Sequence, residues 1–160
     1  MNYEDLLMET ENEGISVDEN FYFESNLKGL YIDNNIALAS SLETSKAKTC
    51  ILAEELGHYH TTVGNILDMN ITENRKQELH ARAWAYNKMI GLTGLVNSYE
   101  HGCRSLHETA DYLNVTEEFL IEALDYYRNK YGICTTVDNY VVYFEPVLGV
   151  GKLELRGKFK

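Results

Sequence analysis

The chain has 160 residues, which is enough for one domain with a substantial core. Its 14 lysines and arginines against 25 aspartates and glutamates give a formal net charge of −11, which disfavours general nucleic-acid binding because phosphates would repel it. The amino terminus is acidic and unlike a signal peptide, no apolar run reaches membrane-spanning length, and the three cysteines are widely spaced. These features predict a cytosolic protein with reduced thiols that does not bind membranes.

The first part of the chain is predicted to form a short helix followed by strands. Residues 2–13 have the apolar spacing of an amphipathic helix, and Gly14 ends it. Apolar residues then alternate loosely over residues 15–23. A clearer pattern surrounds Asp33-Asn34-Asn35, whose short polar side chains tolerate a left-handed backbone, and it predicts an antiparallel β-hairpin.

A longer helix is predicted next, and it contains the residues best suited to catalysis. Thr44 or Ser45 can cap its start, and it is expected to end near Tyr59 or His60. Gly57 lies inside this helix, where it lowers helix propensity by about 1 kcal/mol but permits the close approach of another backbone.

Glu54, Glu55 and His58 form the pattern E-E-x-x-H on this helix. Residues four apart lie on one helical face, so Glu54 and His58 can reach a single point, and Glu55 projects about 100° away at the edge of the same cleft. This is the layout of the zinc-peptidase motif H-E-x-x-H, with glutamate in place of the first histidine. The pattern permits two interpretations: a metal site, or an exposed acidic helix face with a partly buried histidine.

A second long helix is predicted from near Thr72 to Gly91. Before it, Gly64 is expected to close the region of the first long helix, and residues 65–70 to form a connection. Glu78 and His80 are the functional candidates on the second helix. The alternative for Glu78 is a solvated surface charge, and the alternative for His80 is a hydrogen-bonding partner for a neighbouring carboxylate.

The last part of the chain is predicted to contain two short helices and a hairpin. The helices lie within residues 105–127, and the turn at Leu113-Asn114-Val115 gives them the arrangement of a helix-turn-helix. Because the second helix is acidic and would face phosphates with the wrong sign, a structural helical lobe is favoured over DNA recognition. A hairpin around Asp138-Asn139 follows, Pro146 ends it, and the remaining residues, locally basic, are expected to be a solvated tail.

Several segments resemble the ImmA/IrrE family of metallopeptidases, especially members encoded by prophages and mobile elements of Gram-positive bacteria. Residues 52–58, followed by residues 61–64, are similar to the metallopeptidase helix of that family. Residues 76–85 are similar to its second helix, which carries the third metal ligand, and residues 106–132 resemble its helical lobe. The resemblance extends over most of the chain, from about residue 29 to residue 143.

The resemblance implies a zinc-dependent endopeptidase that cleaves a helix-turn-helix repressor of a prophage or mobile element. It implies that His58 and Glu78 ligate the metal, that Glu54 stands where most members have the first histidine ligand, and that Glu55 is the general base. Two carboxylate ligands make a bound dication a weaker Lewis acid, so the expected ion is zinc or a harder ion such as manganese.

His60 and His80 are expected to surround this site rather than to ligate the ion. His60 lies two residues beyond His58, and His80 lies two residues beyond Glu78. A spacing of two places each histidine on a different helical face from the ligand before it. We therefore expect both to act as outer-shell donors or as hydrogen-bond donors to the transition state. The alternative, direct ligation, requires for His60 that the helix end near Tyr59.

The expected fold class is α+β. A mainly helical, zincin-like metallopeptidase core with a small antiparallel sheet is assigned to residues 1–92. A helical, helix-turn-helix-like lobe and a hairpin, packed on the core, are assigned to residues 93–145, and a tail to residues 146–160. An alternative function follows from the missing first histidine and the acidic surface: a non-catalytic anti-repressor module of the same fold, which docks on a basic DNA-binding partner without cutting it.

Overall fold

The computed structural model describes residues 1–61 and 71–154, and for residues 71–73 it describes the backbone alone. The predicted closure at Gly64, the connection at residues 65–70 and the last six residues of the predicted tail lie outside these ranges.

The described part of the chain is an α+β structure. Its helices are α1 (Tyr3–Asn12), α2 (Ser45–Thr61), α3 (Ile71–Met89), α4 (Gly91–His101), α5 (Leu106–Leu113) and α6 (Glu117–Tyr131). Its strands are β1 (Ser16–Phe21), β2 (Gly29–Ile32), β3 (Asn35–Ala39), β4 (Cys134–Val137), β5 (Tyr140–Tyr143) and β6 (Gly149–Lys152).

The first sheet has the strand order β1-β3-β2. The hairpin of β2 and β3 is confirmed, and it closes through Asp33 and Asn34, whose φ angles of 48° and 62° suit a two-residue turn. The small sheet predicted in this region was expected to be antiparallel, but it is mixed, because β1 pairs parallel to β3. Apolar alternation specifies which face of a strand is buried, and it does not specify the neighbouring strand or its direction.

The second sheet is antiparallel, with the order β4-β5-β6. Its first hairpin turns at Asp138, which has a φ of 52°, as the sequence predicted. Residues 149–152 were assigned to a tail, but they form β6 and pair with β5. The sequence Gly-Val-Gly-Lys of this strand has no apolar alternation, so nothing local in it predicts a strand.

Helix α2 lies at the centre of the fold, where it contacts α1, α3 and the first sheet. Its buried residues include Leu52 and Leu56, which join a continuous apolar core. The close approach predicted at Gly57 is confirmed, since a Cβ atom there would lie 2.2 Å from the carbonyl oxygen of Ala81 on α3. The two long helices therefore meet backbone to backbone at this point.

The two short helices predicted within residues 105–127 are α5 and the first part of α6. Ser105 caps α5, Thr116 caps α6, and Asn114 between them has a left-handed backbone with a φ of 59°. Within residues 1–61 and 71–154, none of the helices is long and apolar enough to cross a membrane.

Candidate functional site

A cleft with a volume of about 720 Å³ opens between the first sheet and the two long helices. The loop before β2 and β2 itself form one side, and α2 and α3 form the other. All four residues predicted to carry the chemistry, Glu54, Glu55, His58 and Glu78, line this cleft. The apolar residues of α2 face the core, which leaves Glu54 and His58 half-buried on the side of the helix that borders the cleft.

His58 and Glu78 are in direct contact across the two helices. The Nε2 atom of His58 lies 3.2 Å from the Oε1 atom of Glu78, and the side chains are 18% and 53% exposed. The hydrogen bond between them raises the pKa of His58 and lowers the pKa of Glu78. Arg82, one turn further along α3, has its Nε atom 3.9 Å from the Oε2 atom of Glu78.

Glu54 and Glu55 lie side by side on α2 with unusually high pKa values. Burial raises the pKa of Glu54 to about 7, and the positive charge of Arg82 opposes this shift. Burial also raises the pKa of Glu55 to about 7, opposed by the charge of His58 and, more weakly, by the nearby backbone N–H of Tyr31. A carboxylate with a pKa near neutrality can both accept and return a proton at physiological pH.

Strand β2 covers the Glu55 side chain closely. A Cβ atom on Gly29 would lie 2.9 Å from the Oε1 atom of Glu55 and 2.6 Å from the Cγ2 atom of Ile51. The edge of the first sheet therefore rests directly on the face of α2 that carries Glu55.

The side chains available to a metal ion have suitable chemistry. Zinc accepts imidazole nitrogen and carboxylate oxygen, which His58, Glu78 and Glu54 offer. Two ligands held about 2.0–2.1 Å from a tetrahedral ion lie roughly 3.3 Å apart, and the His58–Glu78 distance of 3.2 Å is close to this value. In the described ranges, no group of three or more histidine, cysteine, aspartate or glutamate side chains is arranged to hold an ion. The residues therefore fit a metal in donor chemistry, and the one pair in contact, His58 and Glu78, lies at a distance that suits a hydrogen bond equally well.

His60 and His80 are placed differently from each other. His60 contacts Glu13, with 3.2 Å between Nε2 and Oε2, and its ring stacks on Trp84 at 4.6 Å between centroids. These contacts involve none of the four candidate site residues. His80 is exposed on α3 and makes no hydrogen bond or ion pair with any residue that the structure describes. A role beside the metal stays a prediction for both histidines.

Three residues of the cleft were not predicted from the sequence. Arg82 lies four residues after Glu78, so helical spacing alone would have placed it on the same face of α3. Gly29 and Tyr31 come from a strand that is distant in sequence, and no local signal points to them.

A comparison with protein families identifies a match over most of the chain. The sequence profile of peptidase family M78, described as the IrrE N-terminal-like domain, matches residues 10–125. No curated protein and no solved structure matches the chain. The matched range covers most of the chain and contains α2, α3 and β2, the three elements that form the cleft.

Proposed function

The chain belongs to peptidase family M78, which has an IrrE N-terminal-like domain, and from this membership we propose that it is a metal-dependent endopeptidase. The observation that carries the proposal is the contact of 3.2 Å between His58 and Glu78, two good metal donors that come from different helices. Glu55, a buried carboxyl group with a pKa near 7, lies in the same cleft and adds a source of proton transfer.

In this proposal His58, Glu78 and Glu54 hold a zinc or manganese ion. When bound, such an ion acts as a Lewis acid that acidifies a water molecule and polarises the scissile carbonyl. Glu55 takes a proton from the attacking water and delivers it to the leaving amine. Its pKa of about 7 suits both steps near neutral pH.

An extended peptide fits the edge of β2 as a substrate. The N–H of Ala39 donates to the carbonyl of Lys28 over 2.8 Å, so Lys28 faces β3. Alternate residues of an antiparallel strand face opposite edges, which turns the backbone groups of Gly29 and Tyr31 away from β3 and towards the cleft. A peptide strand that adds to this edge gains backbone hydrogen bonds and contacts the half-exposed Leu27 beside it.

We propose that the natural substrate is a helix-turn-helix repressor of a prophage or mobile element, met in the cytosol. The resemblance to ImmA/IrrE proteins supports this choice of substrate. The formal charge of −11 also suits a basic DNA-binding partner, because opposite charges accelerate association.

Metal content is the first test of this function. We expect protein purified without a chelating resin to hold about one equivalent of zinc or manganese by elemental analysis. The variants His58→Ala and Glu78→Ala should both lose the ion, because each loses one donor. The variant Lys76→Ala, which changes an exposed residue of α3 outside the cleft, serves as the control.

Cleavage of unfolded casein, and of candidate repressors, completes the test. Glu55→Gln should keep the metal and lose cleavage by about 100-fold or more, as expected for a general base, and a chelator should abolish cleavage by the wild type. A protein that takes up no metal after soaking and releases a repressor without a cleavage product would contradict the proposal. That result would instead favour the non-catalytic docking module.

A further inference from the structure

We infer that the edge strand β2 positions the carboxylate of Glu55, with Gly29 and the backbone N–H of Tyr31 as the positioning groups. The inference rests on the proposed role of Glu55 as the general base. It adds two residues to the site that neither the sequence pattern nor the family match assigns.

The first supporting feature is a ridge on α2. Ile51, Glu55 and Tyr59 are spaced four apart, so they lie in a row along one helical face. Gly29 lies above Ile51 and Glu55, and the ring of Tyr31 packs edge-on against Tyr59 with 5.9 Å between centroids. Strand β2 therefore covers this ridge, and Glu55 is its central member.

The second feature is the lack of a side chain at Gly29. Its backbone is in a strand and does not have a positive φ, so glycine is not required there for conformation. It is required for space, since a Cβ atom would lie 2.6 Å from Ile51 Cγ2, 2.9 Å from Glu55 Oε1 and 3.0 Å from Glu55 Cγ. Any larger residue must displace at least one of these side chains.

The third feature is the direction of the Tyr31 N–H. This group points away from β3, at the edge of the sheet, and lies close enough to the Glu55 carboxylate to lower its pKa. In the inferred arrangement it donates to that carboxylate. Contact with Gly29 on one side and this inferred hydrogen bond on the other limit the orientations that the carboxylate can adopt. A general base needs such restriction because proton transfer requires close, aligned contact with the attacking water.

This arrangement also limits how a substrate strand pairs with β2. Of the backbone groups that β2 directs to the cleft, the inferred arrangement assigns the Tyr31 N–H to Glu55. The N–H and carbonyl of Gly29 and the carbonyl of Tyr31 stay available to a peptide. The ladder that the substrate forms therefore ends beside Glu55, which places the adjoining peptide bond near the base.

The variant Gly29→Ala tests the inference. The added methyl group should displace the Glu55 carboxylate and lower kcat for a quenched fluorescent peptide derived from casein by about 10- to 100-fold. KM and metal content should stay unchanged, since the three atoms nearest to an added Cβ belong to Ile51 and Glu55, and neither is a proposed metal donor. Gly151→Ala is the matched control, because Gly151 lies in a strand and a Cβ atom there meets nothing within 4 Å.

The amide resonance of Tyr31 gives a second measurement that is independent of activity. In the metal-free protein, Glu55→Ala and Gly29→Ala should both move this resonance upfield as the hydrogen bond to the carboxylate is lost. Glu54→Ala removes the neighbouring carboxylate and should leave it in place. An unmoved Tyr31 resonance in Glu55→Ala would overturn the inference even if Gly29→Ala failed to fold.

A double variant separates the two side chains that an added methyl group would meet. Ile51→Ala removes the Cγ2 atom nearest to the new Cβ and leaves Glu55 crowded. If Gly29→Ala combined with Ile51→Ala regained full kcat, the loss would come from crowding of Ile51 and the positioning role would be excluded. If the wild-type protein held no metal and cleaved no substrate, the proposed function would be contradicted. The Tyr31 resonance would still test the contact between the Tyr31 N–H and the Glu55 carboxylate, because that measurement needs neither metal nor activity.

Discussion

Three titratable residues of the cleft have pKa values above their ordinary values. Burial raises those of Glu54 and Glu55 from 4.5 to about 7, and the hydrogen bond to Glu78 raises that of His58 above 6.5. Each group therefore binds its proton more tightly in the folded protein than in the unfolded chain. The stability that they contribute is fully present below the unfolded pKa of each group and is lost as pH rises through its folded pKa.

We therefore expect metal-free protein, prepared with a chelator, to become less stable as pH rises from 5.5 to 8.5. The free energy of unfolding should fall by about 2–4 kcal/mol over this range, as measured by urea denaturation. The double variant Glu54→Gln with Glu55→Gln should show a flatter profile, because glutamine does not titrate. Two exposed acids changed together, Glu11→Gln with Glu24→Gln, should keep the wild-type slope. A free energy of unfolding that increases with pH over this window would contradict the raised pKa values of Glu54 and Glu55.

At the scale of elements, the contact between α2 and α3 sets the geometry of the site. Gly57 precedes His58 on α2, and Ala81 lies three residues after Glu78 on α3. A Cβ atom on Gly57 would lie 2.2 Å from the carbonyl oxygen and 2.9 Å from the carbonyl carbon of Ala81. Since these are backbone atoms, no rotation of a side chain could relieve the clash.

Gly57→Ala should force the two helices apart. We expect a loss of about 1–3 kcal/mol in the free energy of unfolding by urea, because overpacking outweighs the gain in helix propensity of about 1 kcal/mol. Metal affinity, measured by competition with a chelator, should fall as His58 and Glu78 separate. Gly94→Ala is the matched control within α4, where a Cβ atom would meet only a flexible side-chain end, Leu113 Cδ2, at 3.2 Å. An unchanged stability for Gly57→Ala would show that the helices can move apart freely.

For the whole molecule, the distribution of charge bears on the choice of partner. Helix α6, the second helix of the predicted helix-turn-helix lobe, has basic residues only in its last turn, Arg128 and Lys130, and along its length it exposes four acids: Glu117, Glu118, Glu122 and Asp125. These side chains would lie against phosphates if α6 entered a DNA groove. We expect no saturable binding of a labelled duplex at physiological salt by fluorescence anisotropy, with a basic helix-turn-helix protein as positive control. Saturable binding would revive DNA recognition by the lobe and would weaken the case for an acidic surface that attracts a repressor.

Local patterns in the sequence determined much of the secondary structure of this protein. The helices follow from apolar periodicity, from caps at Ser105 and Thr116, and from Gly132, which ends α6. The hairpin turns follow from asparagine and aspartate residues that tolerate positive φ. The pattern E-E-x-x-H also indicated which face of α2 lines the cleft, because helical spacing is a property of neighbouring residues.

Only the tertiary structure decided which distant segments meet. The parallel pairing of β1, the addition of β6 to the second sheet and the position of β2 over Glu55 are contacts between parts of the chain that carry no local mark of each other. The contact of His58 with Glu78 likewise depends on the close packing of α2 and α3 at Gly57. Spacing along one helix aligns the residues of that helix alone, whereas a site shared by three elements is assembled by packing.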